Sequence, residues 1–198
     1  LPRDDMNREL PALNAIEKLD DVRDLLRGVA DLGDIVELGE EFAPSMVTAL
    51  AKIGGTTVGF IANQAAKDEG RLTVYGCKKA ARFAAFCDCF SIPIITVVDS
   101  MGMKISTAPQ GELSRAGAQL LFALSEATTP RVALVVGQAI GMSYASLASR
   151  AVSDMVYAWP GSVFSPVSAQ IAAQLLYADE MQGAEDPYAK RAELEQRY

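Results

Sequence analysis

Apolar residues along the chain follow two spacings, one typical of helices and one typical of strands. Leucine and valine recur at helical spacing from Leu19 to Gly28, which predicts a helix that ends at the glycine. The same spacing predicts helices over Cys77–Phe90 and Gly111–Ala127. Short apolar, β-branched segments between and after the helices predict strands: Ile35–Leu38, Val58–Ala62, Ile94–Val98, Arg131–Val136, Asp154–Trp159 and Ser162–Phe164.

The order of these elements indicates the fold class. The glycine pair Gly54–Gly55 lies between two apolar segments and predicts a β-hairpin. Downstream, strands and helices alternate in short succession, which favours an α/β fold with mainly parallel pairing. A short helix is expected from Tyr144 to Ser149, and Asp186–Pro187 predicts the start of a last helix. No repeat or linker interrupts the pattern, so the 198 residues are expected to form one domain.

Two long uncharged stretches, Val132–Ser149 and Met155–Ala178, must be weighed as membrane spans. The first contains Gln138 and three serines, and the second is interrupted by Pro160 and Pro166. Both are therefore interpreted as buried strand, turn and helix, and no insertion into a membrane is expected. The net charge of −7 leaves no basic patch for a nucleic acid.

Composition restricts the chemistry that the chain can perform. The absence of histidine excludes Ser–His and Cys–His nucleophile pairs and histidine-ligated zinc. Cys77, Cys87 and Cys89 are too few for a four-ligand metal site and are predicted to be buried, as small apolar side chains. An odd cysteine count and a charged first segment predict a reducing compartment, so we expect a cytoplasmic protein. The charges of Lys78, Lys79 and Arg82 are predicted to form a solvated helix face.

Two turns, Asp99–Glu112 and Gly137–Ser146, each follow a predicted buried strand and precede a helix. Ligand sites of parallel sheets lie at the carboxyl ends of the strands, and helix N-termini supply unpaired N–H groups. Facing turns of this kind would form an oxyanion hole from backbone donors alone. Such turns also occur as purely structural features. Asp99 has two interpretations, a catalytic base or a cap of the next turn, and Tyr144 either orients a ligand or packs.

Four segments carry more specific patterns. They include the combinations K-x2-RF-x3-CD-x-F-x-IP and D-x2-YAWP and lie at Val58–Gln64, Lys78–Asp99, Gly117–Val136 and Ser153–Pro160. In order and spacing they resemble the C-terminal domain of biotin-dependent carboxyltransferases. This family comprises the carboxyltransferase subunits of acyl-CoA carboxylases and of sodium-pumping biotin-dependent decarboxylases. The resemblance extends from about Asp31 to beyond Trp159.

This resemblance implies a crotonase-like fold of stacked ββα units, in agreement with the α/β alternation. Full-length members carry two such domains, of which the first binds the CoA thioester and the second binds biotin. Their active sites form where the first domain of one subunit meets the second domain of another. Residues 1–198 resemble the second domain and end before the family usually does, so we expect a fragment of a longer chain. The implied partners are the N-terminal carboxyltransferase domain, a biotin carboxyl carrier and further copies in a homo-oligomer.

The implied activity is carboxyl transfer between carboxybiotin, on a carrier protein or domain, and an acyl-CoA, in either direction. Backbone N–H groups stabilise the oxyanions of biotin and of the thioester enolate, each by about 3 kcal/mol. The D-x-P-G-F turn of the family falls on residues 99–103 and its G-G-A-Y turn on residues 141–144. The implied catalytic donors are the N–H groups of Met103 and of Met142 or Ser143. The implied substrate- or biotin-binding residues are Gly102, Gly141, Tyr144 and Ala145.

The chain departs from the family at both turns. Met101 and Met103 replace the Pro and Phe of the first turn, and Met142 replaces the second Gly of the second. Because glycine allows a ligand to approach the backbone closely, these methionines could fill the biotin site or shape it for another ligand. One alternative is therefore a degenerate, non-catalytic domain kept for subunit assembly. Another is a hydratase or hydrolase of CoA thioesters, although few carboxylates lie near either turn.

Overall fold

The computed structural model describes residues 4–5, 7–9, 20–104, 110–178 and 187–197, and its centre is a seven-stranded sheet. The strands are β1 (Ile35–Glu37), β2 (Met46–Ile53), β3 (Thr56–Asn63), β4 (Ile94–Ser100), β5 (Arg131–Ile140), β6 (Met155–Ala158) and β7 (Val163–Ser165). The helices are α1 (Val22–Val29), α2 (Val74–Cys89), α3 (Gln110–Glu126), α4 (Met142–Leu147), α5 (Ala169–Leu176) and α6 (Pro187–Arg197). Asp186 and Leu19, which the sequence placed at helix ends, lie outside the described residues.

The pairing of the strands follows the predicted α/β pattern. β1, β2 and β3 form an antiparallel meander, and the predicted hairpin at Gly54–Gly55 connects the last two. β3, β4 and β5 are parallel, with α2 and α3 as the connecting helices. β6 pairs with the first half of β5 and β7 with its second half, both in parallel. The predominance of parallel pairing is therefore confirmed.

The fifth strand is longer than the sequence indicated. It passes Val136, its predicted end, and continues to Ile140. β7 pairs with the last three residues of β5. On the other side, β5 has two extra residues between its pairs with Val98 and Ser100 of β4, and pairing resumes at Ala139. The prediction that a turn begins at Gly137 is therefore wrong, because residues 137–140 belong to β5. Gly141 alone, at φ +55°, makes the turn into α4, which begins earlier than the predicted Tyr144.

Two hydrophobic clusters lie on opposite faces of the sheet. Ile61 belongs to the cluster that α2, α3 and α4 cover, and its neighbour Phe60 belongs to the cluster that α1 covers. Successive residues of a strand point to opposite faces, so the uninterrupted apolar run of β3 serves both clusters. This burial on both sides holds the carboxyl ends of β4 and β5 in place.

Side chains cap three of the helices. Asp21 accepts the N–H of Arg23 at the start of α1, at 2.8 Å. Thr73 accepts the N–H of Gly76 at 3.0 Å, so α2 begins before Cys77, its predicted start. Capping by Ser168 starts α5. The sequence analysis expected a helix within this uncharged stretch but gave it no bounds.

The structure corrects the predicted solvation of α2. Lys78 and Arg82 are exposed as predicted, but Lys79 is buried. The Lys79 ammonium donates to the carbonyls of Gly39, Phe42 and Met46 at 2.7, 2.9 and 2.7 Å, and burial lowers its pKa. It therefore ties α2 to the segment that leads into β2.

Two of the three cysteines, Cys77 and Cys87, are buried as predicted. Their burial raises the pKa of each thiol to about 11. Cys89, at the end of α2, is exposed, and the prediction is wrong for this residue. The described cysteines are all free thiols.

The second uncharged stretch is also less buried than predicted. Met155 and Tyr157 on β6 and Phe164 on β7 are exposed, and Leu175 on α5 is 70% exposed. This part of the chain therefore presents a largely apolar surface. Within the described ranges, no helix combines the length and the apolar character that crossing a bilayer requires.

Candidate active site

The first predicted turn follows β4 and is held by a parallel bridge. The N–H of Leu72 donates to Gly102 at 2.8 Å, and the N–H of Lys104 donates to Leu72 at 2.9 Å. In such a bridge the two neighbours of Met103 carry the hydrogen bonds, so the N–H of Met103 points away from Leu72. That N–H finds no acceptor among the described residues. With respect to the described part of the chain, the turn therefore presents one free backbone donor, the N–H of Met103.

Glycines allow the first turn to approach its neighbours. Gly102 adopts φ +95° and Gly70 adopts φ +63°, both in the region that favours glycine. A Cβ on Gly70 would overlap with the backbone carbonyl of Asp99. The N–H of Met101 also donates to Glu69 at 3.2 Å. The segment before α2 thus sets the position of the turn.

The second turn is built around Gly141, whose φ of 55° and ψ of −120° suit only glycine. Its N–H donates to Ser165 of β7 at 2.8 Å, and a Cβ here would lie 3.1 Å from the Pro166 carbonyl oxygen. The first helical hydrogen bond of α4 runs from Ala145 to Gly141, at 3.2 Å. Three preceding N–H groups therefore have no acceptor within the helix. They belong to Met142, Ser143 and Tyr144.

A hydrogen bond joins the two turns directly. The hydroxyl oxygens of Ser100 and Ser143 lie 2.7 Å apart, and the two residues are 1% and 0% exposed. Ser100 also accepts the N–H of Gly102 at 3.3 Å. The sequence analysis did not single out Ser100, because a serine after a strand has no signal of its own.

Two of the three methionines that replace residues of the implied family turns, Met103 and Met142, pack on α3. An ideal Cβ on Gly117 would lie 3.3 Å from the Met142 Cε and 3.4 Å from the Met103 Cε. Met142 also packs against the larger hydrophobic cluster. Both side chains therefore lie over Gly117, and its missing side chain makes room for them. Gly117 is the first residue of the family-like segment Gly117–Val136, but its contact with both turns follows only from the structure.

The remaining predicted residues lie on the outer side of α4. Tyr144 is 39% exposed and makes an edge-to-face contact with Phe164, with the ring centroids 5.8 Å apart. Ala145 is half-buried beside it. The structure thus brings Gly102, Met103, Gly141, Met142 and Ser143 together. It places the ring of Tyr144 against β7.

Asp99 has a structural role in this structure. Its carboxylate accepts the N–H of Gln138 at 2.8 Å, across from β4 to β5. A Cβ on Gly137 would lie 2.5 Å from the Asp99 Cγ, so this glycine makes room for the carboxylate. The sequence left open a catalytic base or a cap of the next turn. The geometry favours a capping role, but the group that is capped lies on the neighbouring strand β5 and not in the next turn.

Charged groups lie beside the first turn in opposite pairs. Arg71 pairs with Glu69 at 2.6 Å, and Lys104 pairs with Asp68 at 2.7 Å. These four residues line one side of a cavity of about 470 Å³, which extends to Ser168 at the start of α5. The charges therefore balance within this part of the surface.

Comparison with known proteins identifies the family. A family model described as "Carboxyl transferase domain" matches residues 4–198. The chain is 38% identical over 180 residues to the methylmalonyl-CoA carboxyltransferase 12S subunit of Propionibacterium freudenreichii subsp. shermanii, covering 90% of this chain and 34% of that protein. It is 37% identical over 204 residues to the carboxyltransferase subunit of propionyl-CoA carboxylase from Haloferax mediterranei, covering 100% of this chain and 40% of that protein.

Solved structures confirm the predicted fold. The transcarboxylase 12S hexamer with bound methylmalonyl-coenzyme A superimposes with a TM-score of 0.87 at 35% identity, over 100% of this chain and 39% of that one. The β subunit of Pseudomonas aeruginosa geranyl-CoA carboxylase, at 23% identity and a TM-score of 0.80, has the same fold over 95% of this chain and 36% of that one. The fold is the crotonase-like one that the resemblance implied. The chain spans well under half the length of these relatives, and it belongs to the carboxyl transferase domain family.

Proposed function

We propose that this chain is the biotin-facing domain of a longer biotin-dependent carboxyltransferase, which moves a carboxyl group between carboxybiotin and an acyl-CoA. One observation carries the proposal. Two turns at the carboxyl ends of β4 and β5 present backbone N–H groups that have no acceptor among the described residues, at Met103 on one side and at Met142 and Ser143 on the other. Membership of the family supports the proposal that these turns correspond to the two oxyanion-binding turns that the resemblance implied.

The donor set fits a bound oxyanion. Backbone N–H groups held by a buried sheet need no reorganisation as negative charge develops, and each is worth about 3 kcal/mol of barrier. The side chains of Met103 and Met142 lie over Gly117, and a backbone donor keeps its N–H whichever side chain it carries. Carboxybiotin, when bound, supplies the carboxyl group that is transferred. The residues of this chain bind and orient the oxyanion.

Side-chain acid–base chemistry has little part in the proposed role. The chain has no histidine, and the carboxylate next to the first turn, Asp99, already accepts a hydrogen bond from Gln138. Electrostatic stabilisation by Met103, Met142 and Ser143 is therefore the contribution of this domain. Because the relatives are named for propionyl-CoA and methylmalonyl-CoA, a short-chain acyl-CoA is the proposed substrate.

The proposed enzyme works as an assembly. The transcarboxylase 12S relative was solved as a hexamer. In this chain, Tyr157, Phe164 and Leu175 expose apolar surface next to α4 and β7. We infer that this surface packs against another subunit of a homo-oligomer, and that an N-terminal carboxyltransferase domain and a biotin carboxyl carrier complete the active site.

The test uses the full-length protein and follows biotin-dependent loss of the carboxyl group from malonyl-, methylmalonyl- and glutaconyl-CoA. Met142→Pro removes one donor N–H at the first position of a helix, where proline is tolerated. We expect kcat to fall by about 10²–10³-fold. Ala169→Pro places proline at the first position of α5, away from the donors, and should leave kcat near the wild-type value.

Two results would contradict the proposal. A Met142→Pro enzyme with wild-type turnover would show that this donor has no role in the reaction. A folded oligomer that neither binds biotin nor acts on any of the three thioesters would instead favour the non-catalytic scaffold. The identity of the preferred thioester would name the substrate.

A further inference from the structure

A pair of buried serine hydroxyls connects the two donor-bearing turns of the candidate site. We propose that Ser100 and Ser143 form a clasp that sets the distance between the N–H of Met103 and the N–H groups at the start of α4. Both serines are then positioning residues for carboxyl transfer. This inference rests on the proposed function, because a clasp between donors matters for turnover only if the donors bind a reacting group.

The hydroxyls of Ser100 and Ser143 and the backbone of Gly102 form one hydrogen-bond network. The two hydroxyl oxygens are 2.7 Å apart, and Ser100 accepts the Gly102 N–H at 3.3 Å. If the Ser143 hydroxyl donates to Ser100, the Ser100 hydroxyl can donate to the Gly102 carbonyl at 3.4 Å. Every donor in the network then has an acceptor, as buried hydroxyls require. The network holds the residue before Met103 and the peptide of Ser143 itself.

The clasp depends on the Ser143 hydroxyl, at a position where the G-G-A-Y pattern implied by the resemblance has no hydroxyl. In the G-G-A-Y turn the position of Ser143 is an alanine, which cannot form this hydrogen bond. The same turn carries Met142 in place of glycine, and the Met142 side chain meets that of Met103 over Gly117. The two methionines therefore fill the space between the turns and α3, and the serines bind the turns to each other.

The test compares kcat for carboxyl transfer by the full-length protein and its Ser143→Ala, Ser100→Ala and double variants. Ser143→Ala keeps the backbone N–H and removes only the hydroxyl. We expect each single variant to lower kcat by about tenfold, the effect of losing one hydrogen bond in a positioned site. The double variant should lose no more than the slower single variant, because both substitutions break the same bond. Ser100→Thr keeps the hydroxyl and should remain within about threefold of the wild type.

A matched control separates positioning from general stability. The Thr96 hydroxyl donates to the Leu147 carbonyl at 2.6 Å, and this buried bond also joins β4 to α4, at the end away from the donors. Thr96→Val should lower the stability of the protein and leave kcat unchanged. If Ser143→Ala has wild-type kcat, or if the kcat losses of the two single serine variants multiply in the double variant, the clasp is refuted.

The failure of the proposed function would look different. A wild-type enzyme that transfers no carboxyl group from any of the three thioesters would refute the function itself. The clasp is then judged by urea unfolding of the same four proteins. Unfolding losses that do not add in the double variant support the Ser100–Ser143 bond, and additive losses overturn it.

Discussion

Gly70 is the glycine at which the structure predicts the largest effect of a single methyl group. The Gly70→Ala substitution would place a Cβ in overlap with the carbonyl oxygen of Asp99 and 3.1 Å from its carbonyl carbon. Both atoms belong to the backbone at the end of β4, so no side-chain rotation relieves the contact. The same Cβ would lie 3.3 Å from the Cβ of Asn63. Either β4 or the segment before α2 must therefore move.

Three effects contribute to the magnitude. An alanine at the Gly70 φ of +63° is disfavoured by about 1 kcal/mol. The buried hydrogen bond from the Asn63 side chain to the Gly70 carbonyl, at 2.9 Å, contributes about 1 kcal/mol and would be strained. Overpacking a buried site adds about 1–3 kcal/mol. Together these effects predict a loss of about 4 kcal/mol in the free energy of unfolding.

The assay is urea unfolding followed by circular dichroism, with Gly161→Ala as the control. Gly161 also has a left-handed φ, +85°, but no described atom lies within 4 Å of its ideal Cβ position. The control should therefore lose only about 1 kcal/mol from backbone strain. The reasoning would be refuted if Gly70→Ala were no less stable than Gly161→Ala, because the contact with Asp99 would then have no energetic weight.

Two further predictions concern a thiol reagent and pH. Cys89 is exposed and should react with the reagent in the native protein. Burial raises the pKa of Cys77 and Cys87 to about 11, so these two thiols should react only after unfolding. Rapid labelling of all three thiols in the native protein would contradict this prediction. A hydrogen bond from the Thr128 backbone lowers the pKa of Asp88 below its ordinary value of 3.8. Its contribution to stability is therefore complete above that pH and is lost as the pH falls through the lowered pKa. The stability difference between wild type and Asp88→Ala should accordingly be largest near neutral pH and shrink in acid, and a constant difference would be inconsistent with this.

Local patterns in the sequence predicted most of the elements. The helical spacing of apolar residues located α2 and α3, and the Gly54–Gly55 pair located the hairpin between β2 and β3. These features depend on residues that are neighbours in sequence, so they can be recognised without the fold. The end of β5 could not be recognised in this way. It depends on β7, which begins more than twenty residues later in the chain.

The burial of individual side chains, charged and apolar, was the least predictable property. The spacing of Lys79 places it on the charged face of α2, yet three carbonyls from residues 39–46 surround its ammonium group. Conversely, the uncharged residues Tyr157, Phe164 and Leu175 were expected in the core and are exposed. Burial depends on which residues pack against a side chain, and these are distant in sequence: the carbonyls that surround Lys79 come from more than thirty residues earlier in the chain.

In the candidate site, too, the short motifs were predicted from the sequence and the contacts between them were not. The resemblance placed the donors at Met103, Met142 and Ser143, because each turn is a short continuous motif. Whether the two turns meet depends on the parallel pairing of β4 and β5, which the alternation of strands and helices had predicted. The contact between Ser100 and Ser143 and the packing of both methionines on Gly117 were not predicted.

The sequence by itself therefore determined the class of fold and the family, since both reside in local spacing and short motifs. The backbone donors that it assigned by resemblance stay a prediction. The tertiary structure alone decided which side chains occupy the space between the turns. Hydrogen bonds and packing contacts form between atoms a few ångströms apart, and residues 43 positions apart in the chain, such as Ser100 and Ser143, meet only once the sheet has formed. The clasp and the methionine pair are properties of that assembled geometry.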